Sequence, residues 1–467
     1  MGQFCSCVCD PNNNAKSVKS KGVDLSRTFA ASLKESIGDS TSGILQSYFV
    51  MEYNHTEVEK TSDNILCVDL GGSSLKIGIA STRGNHIFID GEIVSYPIPN
   101  NDTELTSKTT IYEWIAEKIK SYHHDKTQQN EQVPRRGALT FSFPLANIKD
   151  KVALVKYTKN FNWKRVNLEN SPEIPLDQLN RLVSEIVVFG VVINDAMATL
   201  LSGVCRDKDT VLGMVLGTGT NGAYFEDLSD TQTNHSDGIA ALATAQSPPP
   251  YISALNTEWG SFDKAEIEAF RDKYDVMLCN TFKDGDAYMS EKMVGGIYFE
   301  QYVNLQFNEK ACTLLSEKRG HNPKTNPSTS PKTNFYITNI QMETPETIVQ
   351  ALREQAKGLN ETEVKPLSGL LIEIVEEAKE RKEYILAGYI AGVLTRAKKS
   401  AIKRNKYCIC LNGSGCQSGR FQESIRAKVT EILKKQNIGI APEEIVYFYN
   451  DEASLIGAAF ALISKLD

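Results

Sequence analysis

No apolar run in this 467-residue chain approaches the length of a bilayer span, and the N-terminus lacks the apolar stretch of a secretory leader. A transmembrane protein and a conventionally secreted one are therefore not expected. Nor is there a basic tract long enough to follow a phosphate backbone, and the formal net charge is −7, so no nucleic-acid partner is expected. The ten cysteines show no framework spacing; without a leader they read as reduced thiols of a cytoplasmic protein. Asn54-His55-Thr56 then carries no glycosylation message. What is present is an ordinary globular composition, 41% hydrophobic and 23% charged. The length exceeds what one compact core holds, which predicts two lobes.

The first residues are less ordinary. Met1-Gly2-Gln3-Phe4-Cys5-Ser6 fits an N-myristoylation pattern, with Gly2 exposed once Met1 is removed. Cys5, Cys7 and Cys9 alternate behind it, and Lys16, Lys19 and Lys21 follow. One acyl chain holds a membrane only marginally, so palmitate on these cysteines plus the lysines would form the second signal. The alternatives are peripheral membrane attachment through this segment and an unmodified, frayed tail. A metal site at Cys5, Cys7 and Cys9 is disfavoured, because the spacing is too tight for a tetrahedral sulfur set.

The pattern predicts a tail over 1–22, an N-terminal helical segment over 23–61, a small lobe over 62–195 and a large lobe over 196–467. The last helix is expected to return to the small lobe. Strand-like runs cover 65–70, 74–80, 86–94, 137–143 and 186–193, with an amphipathic helix at 111–122. A second "apolar strand, glycine turn, strand" unit begins at 210–216 and 222–226. Its recurrence predicts a duplicated architecture, a mixed sheet in each lobe and a ligand cleft between them. Residues 229–250 and 321–333 read as surface loops, and 370–396 as a long buried helix.

Two glycine-hinged segments, Leu66–Lys76 and Val211–Asn221, bracket the pair Asn194-Asp195. Glycines let a backbone approach phosphate oxygens, and Ser73, Ser74, Thr218 and Thr220 add hydroxyl donors. Phosphoryl transfer needs aligned substrates, charge stabilisation and a base for the attacking hydroxyl. Asp195, at the carboxyl end of a strand, suits the base; its competing role is N-cap of the segment 196–201. Thr140–Pro144, Tyr157-Thr158-Lys159, Asn256–Gly260 and Ser290–Met293 place hydroxyl, amide, ammonium and carboxylate groups beside aromatic or small residues. Such a set describes a sugar pocket.

Taken together, Asp69-Leu70-Gly71-Gly72-Ser73-Ser74, Thr140–Pro144, Thr158-Lys159, Asn194-Asp195, Leu216–Asn221, Asn256–Gly260, Glu291-Lys292-Met293, Leu411–Ser414 and Gly457-Ala458-Ala459 resemble the hexokinase family, in family order, from about Ser62 onward. The resemblance implies an α/β, two-lobed, actin-like (ribonuclease H-like) ATPase fold. It also implies a kinase that uses ATP, with Mg arriving on the nucleotide rather than in a dedicated protein site. By the same carry-over Asp195 takes the proton of a sugar's primary 6-hydroxyl. Ser142, Phe143, Thr158, Lys159, Asn194, Asn221, Asn256, Glu258 and Glu291 hold the sugar. Asp69, Gly71, Gly72, Ser73, Ser74 and Lys76 face the phosphates and metal; Gly217, Thr218, Gly219 and Thr220 form the second phosphate loop; Gly413 and Ser414 form the nucleotide wall.

The chain departs from the family pattern at Ser73, Ser74 and Lys76, where Thr-Asn and Arg are usual. It departs again at Leu145-Ala146, at the turn Gly285-Asp286-Ala287-Tyr288, and at Asn412, where Asp is common. The expected substrate is a glucose- or mannose-like hexose. An N-acetylglucosamine kinase and a membrane-tethered, non-catalytic sugar sensor are the alternatives.

Overall fold

A computed structural model describes residues 17–36, 64–83, 86–148, 151–157, 161–166, 171–227, 252–319, 334–338, 344–400 and 402–464. In chain order the strands are β1 (Ile65–Leu70), β2 (Ser74–Arg83), β3 (His86–Pro97), β4 (Arg136–Phe141), β5 (Leu145–Ile148), β6 (Lys151–Leu154) and β7 (Val188–Ile193). They continue with β8 (Thr210–Leu216), β9 (Thr220–Asp227), β10 (Ile252–Asn256), β11 (Tyr407–Asn412) and β12 (Ile445–Tyr449).

β1 is buried along its whole length. Side chains alternate across a strand, and here both faces are covered. Leu66, Val68 and Leu70 join Tyr112, Ile115 and Ile119 of the helix Ile111–Gln128. Ile65 and Cys67 join Met197 and Leu200 of the helix Asp195–Arg206, and Ile456 and Phe460 of the helix Ala453–Ser464. Asp69 falls in the second series, so strand parity aims its carboxylate at the ends of those two helices.

The first sheet has the order β3-β2-β1-β4-β7 and the second β10-β9-β8-β11-β12. In each, the first strand pairs antiparallel with its hairpin partner and parallel with the strand on its other side. The duplication read from the two glycine segments is thus present in the pairing. β5 and β6 form a separate antiparallel ribbon. Between β7 and β8 runs the helix Asp195–Arg206, so close to β8 that a Cβ on Gly213 would lie 2.1 Å from the Leu200 nitrogen.

The chain divides into two compact units. One holds Gly260–Gly392 and Ser418–Gly439 with the N-terminal residues up to Ala30; the other holds Ala31–Trp259, Val393–Gln417 and Ile440–Asp467. Both five-stranded sheets lie in the latter. The former is built on the helices Gly296–Lys318 and Glu361–Lys399, whose Phe299, Val303, Phe307, Leu371 and Ile374 form its core.

The tail boundary expected at residue 22 is corrected. A helix starts at Val18 and runs to Ser36, and it packs where glycines permit close approach. A Cβ on Gly388 would meet the Gly22 carbonyl at 3.1 Å, and one on Gly392 the Ser26 carbonyl at 3.1 Å. Lys19 lies 3.7 Å from Glu431, and burial holds Lys21 below the usual lysine range. These two lysines therefore belong to a packed helix rather than to a free basic tail. Gly2, Cys5, Cys7, Cys9 and Lys16 lie outside the described residues. Among the described residues no helix is long and apolar enough to cross a membrane.

Candidate active site

β1 delivers Asp69 as its penultimate residue, and the chain then turns through Gly71–Ser73 into β2. The turn is closed by the Gly71 N–H on the Ser74 carbonyl (3.0 Å) and by the Ile98 N–H on the Ser73 carbonyl (2.9 Å). β8 and β9 make the equivalent turn at Gly217–Gly219, closed by the Gly217 N–H on the Gly219 carbonyl (2.9 Å). Neither turn uses a left-handed glycine. What glycine provides is proximity: a Cβ on Gly72 would stand 3.3 Å from the Thr218 side chain. Two loops separated by some 145 residues in the chain therefore meet. Among the described residues the N–H groups of Gly72, Ser73, Thr218 and Gly219 make no hydrogen bond, which leaves them for an anion.

A third strand end adds to this cradle. Gly413 follows β11 with φ +94, and a Cβ there would lie 2.4 Å from the Leu216 carbonyl oxygen. Only glycine fits both constraints. Ser414 opens the short turn behind it.

Asp69 is 6% exposed, and its Oδ1 has no hydrogen-bond partner. Burial raises its carboxyl from 3.8 to about 6; Lys76 across the ladder and the Ser454 hydroxyl act to lower it, and Asp195 adds to the rise. A buried carboxylate oxygen without a protein partner fits a hard cation such as magnesium, which takes one or two carboxylates and fills its shell with water and phosphate. The sign of the linkage is testable. The folded-state value lies above the unfolded one, so ionising Asp69 costs stability, a cost absent below about pH 4 and complete above about pH 6, of about 3 kcal/mol. Asp69→Asn is accordingly expected to raise the melting temperature at pH 7 and to change it little near pH 4. A variant that melts below wild type at pH 7 contradicts this.

β7 ends at Ile193 and the next helix starts at Asp195. The N-cap is Asn194, whose Oδ1 accepts from the Ala196 N–H at 2.9 Å. Asp195 Oδ1 shares that N–H at 2.8 Å, and its carboxylate sits in the first turn, where the helix dipole favours an anion. The cap role weighed for Asp195 thus falls to its neighbour.

Around this pair the side chains join in a network. Asn221 Nδ2 lies 2.9 Å from Asn256 Oδ1, 3.2 Å from Glu258 Oε1 and 3.4 Å from Asn194 Oδ1. Asn256 Nδ2 donates to Glu258 Oε1 at 2.7 Å. Glu258 has φ +46, a strained backbone of the kind held at functional sites. Amides and a carboxylate that donate and accept side by side suit vicinal hydroxyls.

Two expected residues are corrected. Phe143 is 1% exposed and its ring packs on Phe141, Tyr157 and Phe161 at 4.9–5.3 Å. Only its carbonyl reaches the polar site, accepting from Asn194 Nδ2 at 3.4 Å. Thr220 donates its hydroxyl proton to the Val215 carbonyl at 3.1 Å, so it supports the turn rather than offering a proton to phosphate. Ser142 follows β4, 5% exposed, with its N–H on the Leu70 carbonyl. Thr158 and Lys159 lie outside the described residues.

A family model described as hexokinase matches residues 211–464, and a second with the same description matches residues 14–205. The chain belongs to the hexokinase family. Hexokinase-1 of Saccharomyces cerevisiae is 30% identical over 277 residues, 58% of this chain and 54% of that protein. The hexokinase of Schistosoma mansoni is 25% identical over 362 residues, 76% of this chain and 75% of that protein. The matched region spans about half the length of the first of these relatives. A solved structure of the Schistosoma mansoni hexokinase complexed with glucose superposes with a TM-score of 0.70 at 20% identity, covering 98% of this chain and 97% of that one. The fold is the actin-like, ribonuclease H-like α/β fold, with its mixed sheet duplicated.

Within the hexokinase pattern the departures acquire local reasons. Asn412 uses its amide to donate to the Asn450 carbonyl at 2.8 Å, a bond that the more usual aspartate, ionised, cannot make. The altered turn before Glu291 puts Tyr288 at φ +57, and Asp263 accepts the N–H groups of Tyr288 (3.1 Å) and Ser290 (3.4 Å). Lys292, expected among the sugar-facing groups of Ser290–Met293, is the larger support of this turn. Its side chain is 2% exposed, and Nζ donates to Asp284 Oδ1 (2.7 Å), the Gly285 carbonyl (2.6 Å) and the Ala287 carbonyl (2.8 Å). All three ammonium protons are spent on fixing the turn that leads into the helix of Glu291. Glu291 itself is 7% exposed and belongs to the helical unit.

Proposed function

We propose that this hexokinase-family chain transfers the γ-phosphoryl group of ATP to the primary 6-hydroxyl of a glucose- or mannose-like hexose. The observation that carries the reading is the arrangement at Asn194-Asp195. The helix cap is made by the asparagine, whose side chain also meets the amide network, and the aspartate lies near enough to Asp69 for the two carboxylates to interact.

In this reading Asp195 accepts the hydroxyl proton as the sugar oxygen attacks phosphorus. Ser142, Asn194, Asn221, Asn256 and Glu258 hold the sugar hydroxyls, with Thr158, Lys159 and Glu291 completing the set by family resemblance. The N–H groups of Gly72, Ser73, Thr218 and Gly219 cradle the phosphates, with Lys76 as a point charge beside them and Gly413 and Ser414 as the nucleotide wall. Magnesium, bound with the triphosphate near Asp69, would neutralise charge on the phosphates.

The test is a coupled ADP assay with ATP, Mg2+ and a panel of glucose, mannose, fructose and N-acetylglucosamine. Turnover with glucose or mannose is expected, and turnover with none of the four would sink the reading.

The N-terminus enters as a further part of the proposal. The protein acts in the cytoplasm, held at a membrane surface by acylation at Gly2 with Cys5, Cys7 and Cys9 as the second signal. Gly2→Ala is then expected to move the protein from the membrane to the soluble fraction in cell fractionation. A wild-type protein already found wholly in the soluble fraction refutes the attachment.

A further inference from the structure

The loop Asn256–Trp259 is fastened to the first residues of β9 at three points. Thr257 gives its N–H (2.9 Å) and its hydroxyl (2.7 Å) to the Gly222 carbonyl. Trp259, wholly buried, occupies the space a side chain at Gly222 would need: a Cβ there would lie 2.4 Å from the indole ring. Finally, the indole Nε1–H donates to Thr220 Oγ1 at 3.1 Å.

That last bond reaches the phosphate turn. Thr220 closes the turn after Gly217–Gly219, and its hydroxyl passes its own proton to the Val215 carbonyl. The hydroxyl is therefore a relay: it receives from the indole and gives to the backbone at the far side of the turn. Between Thr257 and Trp259 stands Glu258, whose left-handed backbone is strained for a non-glycine residue and persists only where its surroundings over-determine it. Trp259 and Thr257 fix the backbone on either side of it, and Asn221 and Asn256 hold its carboxylate.

We propose that Trp259 is a positioning residue that sets the sugar loop and the second phosphate turn with one bond, from the indole N–H to the Thr220 hydroxyl. The inference rests on the hexose-kinase reading and goes beyond it, in naming a side chain that acts on both substrate subsites through Thr220 and Glu258.

Four proteins test it: wild type, Trp259→Phe, Thr220→Val and the double variant. Phenylalanine keeps an aromatic plug and loses the donor; valine keeps the branched shape and loses the relay. The readouts are calorimetric affinity for the hexose that wild type turns over fastest in the panel above, and the melting temperature. Trp259→Phe is expected to weaken the sugar about 3- to 10-fold, the scale of one neutral hydrogen bond. Thr220→Val is expected to weaken it comparably, although it alters the phosphate turn, and the double variant no further than either single one. Additive losses, or variants that melt lower with unchanged sugar affinity, overturn the proposal and leave the functional reading standing. A wild type that neither binds nor phosphorylates any hexose overturns both.

Discussion

Replacing Asp195 with alanine is expected to lower kcat for hexose phosphorylation by about 10²- to 10⁴-fold, the usual contribution of a positioned general base, while the melting temperature falls only slightly. The separation follows from the division of labour at the strand end. The helix Asp195–Arg206 is capped by Asn194, and Asp195 only shares the Ala196 N–H with it. Losing that share costs at most about 1 kcal/mol, or roughly 1 °C in a chain of 467 residues. Asn194→Ala should show the opposite balance. It removes the cap, worth about 1 kcal/mol, and one member of the Asn221 network, so it lowers stability and raises the sugar KM more than it lowers kcat. Steady-state kinetics at saturating ATP, paired with thermal melts of both variants, measure the two effects. An Asp195→Ala enzyme with wild-type kcat contradicts the assignment.

Gly457→Val is expected to destabilise the protein by about 3 kcal/mol or more, toward the upper end of overpacking costs. The helix Ala453–Ser464 crosses the helix Asp195–Arg206 so closely that a Cβ on Gly457 would lie 1.8 Å from the Ala198 carbonyl oxygen and 2.5 Å from its carbon. These are backbone atoms, and they cannot step aside as a flexible side chain can. Both helices are buried over most of their length, so any separation opens apolar surface on either side. Asp195 and Ser454 lie at the ends of these helices, and kcat should fall with stability. Gly419→Val is the control: nothing lies within 4 Å of a Cβ there, and a change within about 0.5 kcal/mol is expected. Urea denaturation of the two variants reads the difference, and equal stabilities would refute the close crossing.

The parts of this molecule that were legible in the sequence are those whose reasons are local. β1 and β8 match the expected limits 65–70 and 210–216 because each is a short apolar run stopped by glycine. The duplicated glycine hairpins, and with them the plan of both sheets, followed from the same pattern. Asp69 and the Asn194-Asp195 pair could be found because a polar residue at the end of a buried strand is conspicuous.

What could not be read depends on partners far away in the chain. The helix Gly296–Lys318 is not legible in the sequence because its buried residues, among them Tyr298, Tyr302, Asn304 and Gln306, do not form a clean apolar stripe. The helix expected from residue 370 begins at Glu361, since Pro366 reads as a break yet lies inside it. A hydroxyl beside glycines looks like a phosphate donor until its acceptor is known, and for Thr220 that acceptor is Val215. Phe143 looks like part of the Ser142 site until Tyr157 and Phe161 close over its ring. Lys292 and Trp259 lay inside recognised motifs, but their work is done on Asp284, Gly285, Ala287 and Thr220, which no local spacing reveals. The two compact units do not follow the expected division at residue 195 either, because each is assembled from separated stretches of chain.

The central claim is that one cleanly defined bond is made, from the γ-phosphorus of ATP to a hexose primary oxygen. Phosphorus NMR of wild-type protein incubated with ATP, Mg2+ and glucose tests it most directly. The account predicts a hexose 6-phosphate resonance growing in step with ADP. ADP that accumulates with free phosphate and no hexose phosphate, or a spectrum in which ATP alone persists, would contradict it.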